Sequence, residues 1–188
     1  TTFRDDVSQR FGTEFAVLLN YTQQAVLRDN EDQNKSRGVG YLNLEIEQQL
    51  WPGSEIFLEV ESDNGAGIDK YIPSYSVFNS NYGERIYIYV PRLYIEQYLF
   101  SDKVSFSFGK IDLSDWFDAN IAAESADTQF LSGALVNNLT IPFPSKGLGA
   151  LVSFRPYAWA YFQSGASTAR ASYTKTGLSD GFNSVFFI

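Results

Sequence analysis

The chain has 188 residues, a formal net charge of −8, 44% hydrophobic and 19% charged residues, and neither His nor Cys. It is long enough for one domain with a sizeable core and too apolar for wholesale disorder. The acidic balance argues against a nucleic-acid partner, which needs a cationic footprint. The missing His and Cys remove Ser-His-Asp triads, thiol nucleophiles, disulfides and His- or Cys-ligated metal centres.

Without Met and beginning at Thr1, the chain reads as a processed protein or a piece of a longer one. No apolar run approaches 18 residues, so no transmembrane helix is encoded. A membrane β-barrel stays open, because its strands carry a much weaker signal.

In chain order, residues 13–27 alternate. Phe15, Val17, Leu19 and Tyr21 share one face; Glu14, Asn20, Thr22 and Gln24 share the other, with Ala16 and Leu18 between them. Residues 28–37 read as a solvated loop. Residues 38–50 give the clearest strand, with Leu42, Leu44, Ile46 and Leu50 opposite Tyr41, Asn43, Glu45, Glu47 and Gln49. Trp51-Pro52-Gly53 makes a turn, and residues 55–62 alternate again, with Ile56, Leu58 and Val60 opposite Phe57, Glu59 and Glu61. A period of two over this many positions specifies strand, not helix.

Residues 63–84 form a long connection, and an apolar run follows at 86–91. Residues 92–100 are a strand with Leu93, Ile95 and Leu99 opposite Arg92, Tyr94, Glu96 and Tyr98. Residues 103–112 pair back on it as a hairpin whose turn is Ser101-Asp102. One short helical turn is expected within 114–128. Residues 147–155 and 158–165 form another hairpin about Pro156-Tyr157, 166–180 a polar loop, and 181–188 a last strand.

The expectation is an all-β, antiparallel up-and-down architecture of about eight strands, with short turns on one side and long loops on the other, as transmembrane β-barrels have. A soluble carbohydrate-binding β-sandwich alternates in the same way. Strand length favours the barrel, since sandwich strands usually run to about 5–6 residues. So do aromatics clustered at strand ends (Tyr41, Trp51, Tyr87, Tyr89, Phe100, Trp116, Tyr157 and Trp159), which resemble interfacial girdles.

Residues 109–118, GKIDLSDWFD, are followed by DTQFL at 127–131, ALVNN at 134–138 and IPFP at 141–144. With Gly147-Leu148-Gly149-Ala150, Arg155-Pro156, Trp51-Pro52-Gly53 and Tyr94-Ile95-Glu96-Gln97, this order resembles the carbohydrate-selective porin family of the OprB type. The likeness covers roughly residues 38–165 and lies largely in loops, where strand alternation cannot produce it.

The resemblance implies a bacterial outer-membrane barrel of about sixteen strands that lets sugars diffuse across. Residues 1–188 would then be a single barrel domain incomplete at its C-terminus, about half the wall. Its partners would be carbohydrates or other small polar solutes and outer-membrane lipid. Monomer and homo-oligomer, a trimer for example, both remain open. No cofactor, metal or catalytic residue is implied.

The pore-lining and solute-contact candidates are Glu45, Glu47, Glu59, Glu61, Arg92, Tyr94, Glu96, Lys110, Asp112 and Trp116. Carboxylates accept hydrogen bonds from sugar hydroxyls, and Arg and Lys donate them. Tyr94, Tyr98 and Trp116 offer flat faces to sugar rings. Glu45/Glu47 and Glu59/Glu61, about 7 Å apart along a strand face, also fit an inverting glycoside hydrolase. Nothing marks either member of a pair as desolvated. The long connection 118–140 is expected to fold inward and narrow a channel, or else to mediate contacts between barrels.

Overall fold

The computed structural model describes residues 8, 11–27, 34–72, 75–80, 87–123, 125–138, 140–172, 175 and 184–188. Its strands are β1 (Thr13–Val26), β2 (Lys35–Trp51), β3 (Ser54–Gly65), β4 (Tyr87–Tyr89), β5 (Leu93–Leu99), β6 (Val104–Ile111), β7 (Gly147–Tyr157), β8 (Ala160–Thr168) and β9 (Val185–Phe187). They form one antiparallel sheet in the order β1-β2-β3-β5-β6-β7-β8-β9, with β4 also on β3. β4 pairs the upper part of β3 and β5 the lower, so the two are one wall position broken at Val90, Pro91 and Arg92. Pro91 has no backbone N–H to give a ladder, which accounts for a break there. The nine strands therefore fill eight positions of an up-and-down sheet.

The register sets the two faces. Val17, Leu44 and Val60 lie side by side, as do Leu19, Leu42, Ser62 and Ile88. Ile56, Ile95, Phe108, Ala150, Ala166 and Phe187 form a row across six strands. This is the outward face. It stays uncovered: Leu19 is 76% exposed, Phe108 60% and Ile95 41%. A sandwich would bury these residues against a second sheet, and none is present among the described residues. The all-β antiparallel expectation holds, and the sandwich does not.

The other face carries Asn43, Glu45, Glu59, Glu61, Glu96, Ser105 and Ser107. On it sits a small apolar core of Ile111, Leu113 and Leu151, packed by Tyr94, Trp116, Phe117, Phe143, Phe186 and Ile188. Among the described residues no helix is long and apolar enough to cross a membrane.

Several expected boundaries move. β2 begins at Lys35, so residues 35–37 are strand rather than loop; Asn34 stays outside the strand, and residues 28–33 lie outside the described residues. The β5–β6 turn spans residues 100–103 rather than two residues. Phe100, Ser101 and Asp102 all take positive φ (55°, 55° and 64°), a left-handed turn that suits the twist of the flanking strands. Pro156 lies inside β7, at a register irregularity between Phe154 and Tyr157, and the turn falls at Ala158-Trp159. A bulge tolerates a residue with no N–H to give.

The expected helical turn forms at Ser114–Phe117, and an unforeseen one at Gly133–Val136. Ile86, read as the start of an apolar run, and residues 181–183, expected in the last strand, lie outside the described residues.

The short turns share one rim, where Trp51, Phe100, Tyr157 and Trp159 are exposed. Tyr157 and Trp159 stack there with centroids 5.4 Å apart. Three other presumed girdle residues are not at that rim. Tyr41 and Tyr89 line the inner face, and Trp116 packs on Tyr94. The side chain of Tyr87 lies outside the described residues.

Candidate functional site

Strand parity aims Asn43 and Glu45 of β2, Glu59, Glu61 and Asp63 of β3 and Tyr89 of β4 at a common space on the inner face. Together with Tyr41, Ser80, Arg92, Asp115, Ser125, Ala126, Asp127 and Lys146 they line a polar cleft of about 420 Å³. Its described lining holds six carboxylates and two cations.

Glu59, 1% exposed, is the hub of that charge. Arg92 donates to both of its oxygens, Nε to Oε2 at 2.7 Å and Nη2 to Oε1 at 2.9 Å. Asn43 Nδ2 donates to Oε1 at 2.7 Å, and Lys146 Nζ lies 3.7 Å from Oε2. Arg92 also donates from Nη1 to Asp115 Oδ2 at 2.6 Å and from Nη2 to Glu45 Oε1 at 3.3 Å. Lys146 Nζ donates to Glu61 Oε1 at 3.2 Å. Higher up, Tyr89 donates its hydroxyl to Asp63 at 3.0 Å.

A carboxylate this deeply buried is tolerated because it is paired and its lone pairs are filled. Burial pushes the Asp115 carboxyl up, to about 6; Arg92 opposes the rise and Asp112 adds to it. Burial works to lower the Lys146 ammonium, but Glu61 and Glu59 outweigh it and hold the pKa above the ordinary lysine value.

The segment 112–146 lies against this inner face. Leu113 enters a notch in the wall at Gly165, where an added Cβ would sit 2.6 Å from Leu113 Cδ2. Trp116 follows, edge-on to Tyr94 with centroids 5.7 Å apart, and Tyr94 stacks on Phe57 at 5.1 Å. Across the cleft, Asn20 of β1 donates to Asp127 at 3.4 Å. The preceding long connection docks on the same segment. Ser80 N donates to Leu131 O at 2.8 Å and Gly133 N to Val77 O at 3.0 Å, and a Cβ on Gly133 would meet Ser76 and Val77 at 3.0 Å.

Of the residues singled out in the sequence, Glu45, Glu59, Glu61 and Arg92 come together in the cleft. Glu47 lies nearer the short-turn rim, beside a groove that it shares with Glu14, Gln49 and Glu55. Glu96 pairs directly with Glu55. Tyr94 and Trp116 meet each other, so these rings are engaged in seating the inner segment. Asp112 Oδ1 accepts from Ser114 N at 3.0 Å and Ser114 Oγ at 2.6 Å, which shapes the start of the helical turn.

Lys110 is placed apart from the cleft lining. Register sets it opposite Leu93, on the parity of the outward residues. Its ammonium donates to the carbonyl oxygens of Val90 at 2.8 Å and Lys175 at 2.5 Å. Gly109, with φ 145°, precedes it in β6.

Sequence reading missed Asn43, Asp63, Asp115, Asp127 and Lys146 as site residues, along with Tyr41 and Tyr89. Asn43 was legible, since it shares a face with Glu45. The others on loops depend on where the loop lands, which alternation does not encode. Among the described residues no group of three or more Asp and Glu is placed to hold a metal ion.

Comparison with known proteins fits this geometry. The family model described as carbohydrate-selective porin, OprB family, matches residues 42–186. The high-pH structure of Pseudomonas putida OprB superposes with a TM-score of 0.75 at 16% sequence identity, covering 96% of this chain and 46% of that one. The present chain thus spans about half the length of that structure. No curated protein matches the sequence.

Proposed function

The chain belongs to the carbohydrate-selective porin, OprB family, and from that membership we propose that it forms about half the wall of a channel in the bacterial outer membrane. Sugars and other small polar solutes diffuse through the channel, and no bond is made or broken. The single observation that carries this reading is the two-faced sheet. A continuous apolar band lies uncovered on one side, and a charged, loop-covered cleft lies on the other.

In this reading the outward rows of Ile56, Ile95, Phe108 and Phe187 meet lipid, and Trp51, Phe100, Tyr157 and Trp159 sit at one interface. The inner segment 112–146 narrows the lumen, and the carboxylates that line the cleft exchange hydrogen bonds with passing hydroxyls. Glu14, Glu47, Glu55 and Glu96 bias the nearer rim against anions, because paired carboxylates set up a negative potential that repels them. Selection rests on width, hydrogen bonding and charge.

The test is reconstitution of the full-length protein into planar bilayers. Stepwise conductance that falls as glucose or a disaccharide is added supports the reading. A protein that stays monodisperse without detergent and gives no channels overturns it.

A further inference from the structure

We propose that Arg92 is a positioning residue that clamps the base of the inner segment 112–146 to the wall and so sets the width of the channel, rather than a group that touches the solute. The inference rests on the porin reading and goes beyond it. A guanidinium has five N–H donors. In Arg92, four donor directions end on carboxylates of three separate elements: two on Glu59 of β3, one on Glu45 of β2 and one on Asp115 of the helical turn. Its flat face lies over the Phe57 ring, 5.0 Å from the centroid. Little of the group is left to offer a sugar.

Both ends of the segment return to the same place. Near the start, Asp115 is held by Arg92; at the end, Lys146 is held by Glu61 and lies 3.7 Å from Glu59. Glu59 therefore ties the two ends together through Arg92 and Lys146. Ile111 and Gly147, which flank the segment, are register partners in the wall. The tip is attached separately, by Asn20 to Asp127 at 3.4 Å. Short charge-assisted bonds to a planar fork fix direction as well as distance. Loss of the fork frees the Asp115 end of the segment and leaves it tied by Lys146 on Glu61 and by Asn20 on Asp127.

The experiment uses the full-length porin with Arg92→Gln, Arg92→Lys, Asp115→Asn and the double variant Arg92→Gln/Asp115→Asn. Liposome swelling with saccharides of increasing length reads the size cut-off. Bilayer recordings read open-channel noise and conductance block by glucose. Clamping predicts that Arg92→Gln and Asp115→Asn raise the cut-off and the noise alike. The double variant then matches either single one, because both remove one linkage. Arg92→Lys, which keeps the charge but not the fork, falls between parent and Arg92→Gln.

A solute-contact role predicts the opposite pattern: weaker glucose block in Arg92→Gln with an unchanged cut-off, and a silent Asp115→Asn. That result overturns the proposal. If Arg92→Gln fails to insert, Asp115→Asn decides alone, since it leaves Arg92 on Glu59. A parent protein without channel activity refutes the porin reading and the clamp with it; a conducting parent with silent variants refutes only the clamp.

Discussion

Placing an arginine at Ile95 separates a lipid-facing wall from any water-facing sheet. Ile95 is outward, between Ile56 and Phe108. It lies five residues from Phe100 on the aromatic rim, about 16 Å along the strand at about 3.3 Å per residue. A tilt of about 40° turns this into about 13 Å of depth, half of an apolar band about 25 Å tall. Arginine at such a midplane site costs about 2–4 kcal/mol in a membrane barrel, falling to about 0–1 near the interface. Leu99, one residue from Phe100, is the interfacial control. The expected result is a loss of about 2–4 kcal/mol for Ile95→Arg and about 1 kcal/mol or less for Leu99→Arg. The assay is urea titration of the full-length protein in phosphatidylcholine vesicles, followed by tryptophan fluorescence. In water both would be substitutions at half-exposed surface sites, each within about 0.5 kcal/mol of neutral. Equal small effects at the two sites would refute a lipid-facing band.

Three further outcomes follow from the inner face. Gly165→Val fills the notch that seats Leu113, so overpacking costs about 1–3 kcal/mol and shifts Trp116 emission in the same unfolding assay. The Asp115 carboxyl binds its proton at about 6, above the ordinary Asp value of about 3.9, so the folded state holds more protons between these two pH values. This group's contribution to stability is then present below about pH 4 and lost as pH rises through about 6; Asp115→Asn removes that part of the urea-midpoint profile between pH 4 and 7. Replacing Glu14, Glu47, Glu55 and Glu96 together by Gln lowers the cation-to-anion permeability ratio in reversal-potential measurements and leaves swelling with neutral monosaccharides unchanged.

The wall was largely legible because alternation is a local code. Leu42, Leu44 and Ile46 against Asn43, Glu45 and Glu47 already fix a strand and its two faces, and the register keeps those sets on opposite sides. The turns were legible only where their chemistry was ordinary. Pro52-Gly53 marks its turn, and Gly53 has φ 75°. Phe100-Ser101-Asp102 carries no glycine, so nothing in its composition announces three left-handed residues in succession. Pro156 misled for the converse reason: a proline usually marks a turn, but at a bulge it loses no ladder bond that the strand would have made.

The site was legible as a face and not as a network. Arg92 stands 33 residues from Glu59, 47 from Glu45 and 23 from Asp115, and no spacing rule joins those positions. Register supplies the missing step. It sets Glu45 directly across from Glu59, and like charges in that position repel. Arg92, entering at the break where Pro91 interrupts the ladder, bonds to both and offsets that repulsion. Glu14 across from Glu47 and Glu55 across from Glu96 are the same kind of pair, and among the described residues no cation forms an ion pair with any of the four. The two halves of the inner face therefore differ in kind. Near the long loops, Arg92 and Lys146 pair with four of the six carboxylates and hold a segment in place; near the short turns, acid is left to act on whatever passes.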